Sequence, residues 1–150
     1  MLALAVFSLI LVIAALWDVA SFRIPNALPA ALALAALVFA LPDGGGEWLS
    51  RGASVGVVGM TVLALYLAGG MGGGDVKLLT AAAMWMPFDS LPVFVLALGI
   101  VGGVQALLTL AARRLAPASA RGTDAEGRRL PYGLSIAAAG LSWALAVSTV

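Results

Sequence analysis

The sequence predicts an all-α, polytopic membrane protein, a bundle of about six transmembrane helices, and three observations carry that expectation. Of 150 residues, 63% are hydrophobic and only 10% charged, with a mean hydropathy of +1.10. A water-soluble domain of this size is about one-quarter charged. The apolar residues gather into long runs separated by short polar breaks. The few charges fall mostly into every second break, as they do in proteins that cross a bilayer repeatedly.

The length suits one compact bundle, a single integral-membrane domain over residues 1–150 with no separate soluble domain. Cysteine is absent, which excludes disulfides and thiolate metal sites. Histidine is absent too, which removes the commonest general base and most zinc sites. Carboxylates remain as the acid–base groups. No metal and no cofactor is expected, the lipid bilayer is the expected surrounding, and no nucleic-acid partner is implied.

The first span runs from Met1 to Trp17 and is closed by Asp18. No Lys or Arg precedes it, so it lacks the charged start of a cleaved signal peptide and is expected to be retained. Arg23-Ile24-Pro25-Asn26 breaks the run, and Ala27 to Leu41 forms a second span that Asn26 is placed to cap. Pro42 to Arg51 reads as a polar turn. Gly52 to Met71 is a third span, long enough for a hydrocarbon core of roughly 30 Å. Its Gly52-x-x-x-Gly56 spacing and Gly59 read as a helix-packing face.

Val76 to Phe88 is a fourth span, but 13 residues make only about 20 Å of helix. Either the bilayer thins there, or the helix starts below the membrane surface, shielded by the other helices. Leu91 to Ala112 is a fifth span, Arg113 to Arg129 a polar loop, and Leu130 to Val150 a sixth span. Loops one, three and five carry Arg23, Lys77, Arg113, Arg114, Arg121, Arg128 and Arg129, seven of the eight basic residues. The positive-inside rule therefore turns those loops to the cytoplasm. Arg51 falls on the other side.

The densest chemistry lies in Gly69-Gly70-Met71-Gly72-Gly73-Gly74-Asp75-Val76-Lys77. Glycine packs nothing and costs backbone entropy, so such a cluster implies unusual dihedrals or close backbone approach. An ionisable residue inside membrane-like sequence is by default a functional candidate and needs a partner. The topology supplies one. Asp18 ends the first span and Asp75 starts the fourth, 57 residues apart in sequence but at the same depth on the same side. Asp43, Glu47 and Asp89 fall in outer loops, and Asp124 and Glu126 in the long fifth loop.

Two carboxylates in one site share a proton, which gives a base to activate water and an acid to protonate a leaving group. The helix ends place the charge on Asp75, at a helix start, and the proton on Asp18, at a helix end. Plainer readings stand beside these: Asp75 as an N-cap, Asp18 as a boundary residue, Lys77 as a snorkelling side chain, and Arg23 as a topology determinant. The glycine run is no phosphate loop, because no Gly-x-x-x-x-Gly-Lys-Ser/Thr pattern occurs. The alternative to an enzyme is a small proton-coupled transporter or channel subunit using Asp18 and Asp75 as a relay. A third reading is a packing subunit without catalysis.

At these residues the sequence resembles the bacterial type IV prepilin peptidases, prepilin leader peptidases of the GxGD aspartyl protease family. Gly72-Gly73-Gly74-Asp75 fits Gly-x-Gly-Asp, and Val76-Lys77-Leu78-Leu79 continues it as the family does. Asp18 with Arg23-Ile24-Pro25-Asn26 resembles the family's first-aspartate segment, and Pro131-Tyr132-Gly133 is similar to a third segment. The resemblance implies Asp18 and Asp75 as the catalytic pair, with Gly72, Gly74 and Lys77 in the active-site loop. It gives Arg23, Pro25, Asn26, Pro131, Tyr132 and Gly133 a supporting or substrate-contacting role. The implied substrate is a prepilin, a short basic leader followed by an apolar helix, cleaved at the cytoplasmic face of the bacterial inner membrane. Large relatives add an amino-terminal region with zinc-binding cysteines and a methyltransferase activity. This sequence carries neither, so N-methylation is not expected, and it resembles the short peptidase-only form of Flp or Tad-type pilus systems.

Overall fold

The computed structural model describes residues 1–39, 45–115 and 132–149. Pro131 and most of the polar loop, with Arg121, Arg128, Arg129, Asp124 and Glu126, lie outside the described residues, as does Asp43. Among the described residues the chain forms six α-helices and no strand. They are α1 (Leu2–Ser21), α2 (Ala27–Phe39), α3 (Gly45–Leu67), α4 (Gly73–Ala83), α5 (Leu91–Leu115) and α6 (Tyr132–Ser148), with a 3-10 turn at Phe88–Ser90 leading into α5. Leu2–Ser21, Glu47–Leu67 and Phe88–Ala112 are long and apolar enough to cross a membrane, while α2 and α6 are shorter apolar helices. The protein is an all-α membrane helical bundle.

Helix α6 lies along α1 and α5, and α4 is enclosed by α2, α3 and α6. Small residues make this tight grouping possible, because the helices meet without large side chains between them. Ala14, Ala36, Ala82, Ala83 and Ala139 are fully buried. An added Cβ at Gly140 of α6 would collide with Leu11 Cδ1 and lie 3.2 Å from Phe7 Cζ. Phe7 in turn anchors an aromatic cluster, its ring centroid 5.1 Å from that of Trp85 and 5.4 Å from that of Trp143. Leu9, Met60, Leu96 and Leu107 point outward, an arrangement that lipid rewards and water would not.

Several boundaries differ from the sequence reading, each for a local reason. Helix α1 does not stop at Trp17 but continues to Ser21, so Asp18 lies nearly a turn inside it. Hydropathy changes at Asp18, but backbone hydrogen bonds continue past it. They end where Phe22 adopts a left-handed conformation, φ 52°, and donates its N–H to Asp18 O at 2.7 Å. Helix α3 begins at Gly45 rather than Gly52 and stops at Leu67 rather than Met71. Its polar first turns carry Glu47 and Arg51, an i,i+4 ion pair of 2.7 Å.

Helix α4 has 11 residues rather than 13 and starts on the glycines of the cluster. That is about 16 Å of helix. Asp75, Leu78, Leu79, Ala81, Ala82 and Ala83 are buried in it, so the short helix is shielded by its neighbours. Among the described residues the Gly52-x-x-x-Gly56 spacing is not a packing face, since a Cβ at either glycine would meet none of them within 4 Å. Gly59 sits in ordinary contact with Thr80, 3.6 Å from its methyl group.

Candidate active site

Asp18 and Asp75 are brought to one cavity of about 670 Å³ at one end of the bundle. Three segments form it: the end of α1 with Phe22, Arg23 and Ile24, the glycine cluster Gly69 to Gly74 with Asp75, and Tyr132 at the start of α6. The carboxylates are near enough for the Asp18 charge to act on Asp75. Both residues are buried, at 5% and 9% exposure, far below what a boundary carboxylate at a helix end would show.

Each carboxylate is held by the start of a helix. Gly72 is the N-cap of α4 and Asp75 its third residue, the position from which an acidic side chain reaches back to the N-cap amide. The Gly72 amide acts on the Asp75 carboxylate, and a Cβ at Gly72 would stand only 2.8 Å from Asp75 Oδ2. Asp75 thus supports the helix start and faces the cavity together. Asp18 accepts a 2.8 Å hydrogen bond at Oδ2 from the N–H of Gly133, the second residue of α6. A Cβ at Gly133 would lie 2.9 Å from both Cβ and Oδ2 of Asp18, so only glycine lets the α6 backbone come this close.

This corrects the helix-end argument. Asp18 is near the end of its own helix, but its carboxylate points at the beginning of another. Both acids therefore face free N–H groups of a helix N-terminus, and the asymmetry expected from their sequence positions is lost.

The remaining predicted residues knit the two aspartate segments together. Gly74 packs on the backbone of Ile24, where a Cβ would lie 3.1 Å from Ile24 Cβ and 3.4 Å from its carbonyl oxygen. Lys77 does not simply snorkel; its Nζ donates to Asn26 Oδ1 at 2.8 Å. That bond ties the first turns of α4 to the Arg23–Asn26 segment across 51 residues of sequence. Pro25 opens α2, its carbonyl accepting from the Leu28 N–H at 3.1 Å. Arg23 and Tyr132 line the cavity. Gly69 takes a positive φ of 75°, which turns the chain out of α3 and into the cluster.

Phe22, Ile24 and Met71 also line the cavity. Ile24 and Met71 stood inside the two quoted segments, and Phe22 between Asp18 and Arg23, but none was singled out as a site residue, because an apolar side chain carries no chemical signal of its own.

Fold and site together define a polytopic membrane protein with two buried carboxylates facing one cavity at one end of its bundle. The chain belongs to the type IV leader peptidase family, whose model matches residues 5–107. The matched stretch contains both aspartates, the Arg23–Asn26 segment and the glycine cluster, and it ends within α5 before Tyr132 and Gly133. No curated protein and no solved structure matches the chain.

Proposed function

We propose that this leader peptidase is an aspartyl endopeptidase in which Asp18 and Asp75 share one proton and cleave the leader from a prepilin of the Flp type. The observation that carries the reading is that these two acids, 57 residues apart, line a single cavity while the other described acids, Glu47 and Asp89, do not line it.

The chemistry follows from the pair. The ionised carboxylate takes a proton from a water molecule as its oxygen attacks the scissile carbonyl carbon. The protonated carboxyl gives its proton to the carbonyl oxygen, forming a neutral tetrahedral diol. On collapse the C–N bond breaks, one hydroxyl proton returns to a carboxylate, and the other carboxyl protonates the departing nitrogen. A base and an acid are needed in each half, and two carboxyls with one proton supply both. Each acid faces the start of a helix, Asp75 its own and Asp18 that of α6, so either can begin as the base.

Arg23 lines the cavity, and Lys77 lies in the first turns of α4 beside it. By the positive-inside rule this end faces the cytoplasm, which places the active site where a basic prepilin leader resides before cleavage. The whole chain then serves as one integral-membrane peptidase domain.

The test is leader removal from a Flp-type prepilin added to membrane vesicles containing the protein. Inside-out vesicles should cleave it and right-side-out vesicles should not. Asp18→Asn and Asp75→Asn should each lower turnover by about 10³-fold or more with normal membrane insertion, the scale of lost acid–base catalysis. Asp89→Asn should leave it intact. Near-normal turnover in Asp18→Asn would remove the pair.

A further inference from the structure

Helix α5 is tied to the aspartate end of the bundle by a polar contact inside an apolar span. Its stretch from Leu91 to Ala112 is interrupted in polarity by Gln105 and Thr109. The Thr109 hydroxyl is used within the helix, donating to Gln105 O at 2.8 Å. The Gln105 side chain reaches α6, where its Oε1 accepts from Ser135 Oγ at 2.5 Å. Ser135 is fully buried. Gly102 lets the two helices meet there, since a Cβ on it would already touch Ser135 Oγ at 3.7 Å. An amide or a hydroxyl among apolar groups is costly without a partner, and here each answers the other.

The place of this contact on α6 gives it a consequence for the site. Ser135 comes two residues after Gly133, whose N–H donates to Asp18 Oδ2 at 2.8 Å. At 3.6 residues per turn the two positions stand about 200° apart, on opposite faces of one turn. Gly133 faces α1 and Ser135 faces α5, so the first turn of α6 is held from both sides. Farther along, Gly140 is seated against Leu11 and Phe7 of α1. That seat fixes where α6 lies, and the Ser135–Gln105 bond fixes how its first turn is rotated. A rotation of about 20° would carry a Cα, at a radius of about 2.3 Å, through roughly 0.8 Å. A hydrogen bond of 2.8 Å does not survive that displacement along its length.

We propose that Gln105 and Ser135 are positioning residues for the peptidase reaction, their bond setting the rotation of α6 that keeps the Gly133 N–H on the Asp18 carboxylate. This rests on the aspartyl peptidase reading above. Neither residue is among those that line the cavity, so both act through Gly133 and not on the substrate.

The experiment combines amide spectra of the full chain carrying isotope-labelled glycine with steady-state cleavage of a Flp-type prepilin. Loss of a resonance in Gly133→Ala identifies the Gly133 amide, whose bond to a carboxylate holds its proton at high frequency. Ser135→Ala removes the donor oxygen, and Gln105→Met keeps the side-chain length without the acceptor. In each, the Gly133 proton should move to lower frequency and exchange with solvent about fivefold faster, the scale of one interhelical hydrogen bond in a membrane. Turnover should fall about fivefold with KM within about twofold, and the double variant should lose no more than either single one. An unmoved Gly133 resonance overturns the proposal whatever the unfolding temperature does, because a purely structural bond would lower stability alone. An additive loss in the double variant overturns it too. Failure of the unaltered protein to cleave prepilin counts against the peptidase reading, while the resonance still decides whether the bond positions Gly133. Should Gln105→Met fail to insert, Ser135→Ala, which deletes a single oxygen, decides alone.

Discussion

At the aspartate end of the bundle the important contacts run from side chain to backbone: Gly133 N–H to Asp18, the Gly72 amide to Asp75, and Gly74 against Ile24. At the opposite end they run between large side chains, Phe7 between Trp85 and Trp143, with Arg51 spanning Glu47 and the Trp85 carbonyl. The first arrangement sets the position of two small acids by letting backbones approach where a methyl group would not fit. The second fills space. A substitution at the first end should therefore act on chemistry, and one at the second on stability.

After the aspartates themselves, the largest expected effect belongs to Gly133→Ala. Its new methyl would stand 2.9 Å from Asp18 Oδ2, and the carboxylate must move or lose its hydrogen bond. Displacement costing about 2–3 kcal/mol lowers turnover roughly 100-fold. Alanine favours helix over glycine, so the unfolding temperature should change little. A steady-state cleavage assay beside a thermal melt checks both, and equal losses in the two would break the contrast between the ends.

Phe7→Ala is expected to do the reverse. Lipid tails are as apolar as the core, so mainly the cavity term remains, and at about 24 cal/mol per Å³ a lost phenyl ring costs roughly 2 kcal/mol. The melt should show that loss, while turnover per folded molecule stays within about twofold. A fall in turnover tracking the fall in stability would mean that the two ends are coupled.

Gly74→Ala sharpens the comparison at its margin. Its methyl would lie 3.1–3.5 Å from Ile24, a contact relieved by a shift of a few tenths of an ångström. Turnover should drop about tenfold, close to 1.4 kcal/mol, with expression nearly unchanged. Loss of expression alone would assign Gly74 to folding.

Much of this was legible before the structure. Long apolar runs gave the all-α membrane bundle, and the two aspartates were singled out from topology and motif. What escaped the sequence has a common physical origin. Hydropathy marks where chemistry changes, not where backbone hydrogen bonds end, so α1 was cut before Asp18 although it continues to Ser21. Glycine spacing marks where helices are able to approach, not where a partner lies. Gly52 and Gly56 were chosen on spacing and meet none of the described residues, whereas Gly140, with no motif around it, comes closest to α1 among the described glycines. The direction of a carboxylate is equally invisible in one dimension, and that is why the start of α6 facing Asp18 removed the asymmetry on which the helix-end argument rested.

The central claim, that Asp18 and Asp75 occupy one site, is open to a direct physical measurement because the chain has no cysteine. In membranes, the double variant D18C/D75C should be joined by a short bifunctional thiol reagent, and D18C/D89C should not. Crosslinking of the first pair alone is the predicted result. No crosslink in D18C/D75C, or equal crosslinking in both, would contradict the shared cavity and the two-aspartate mechanism with it.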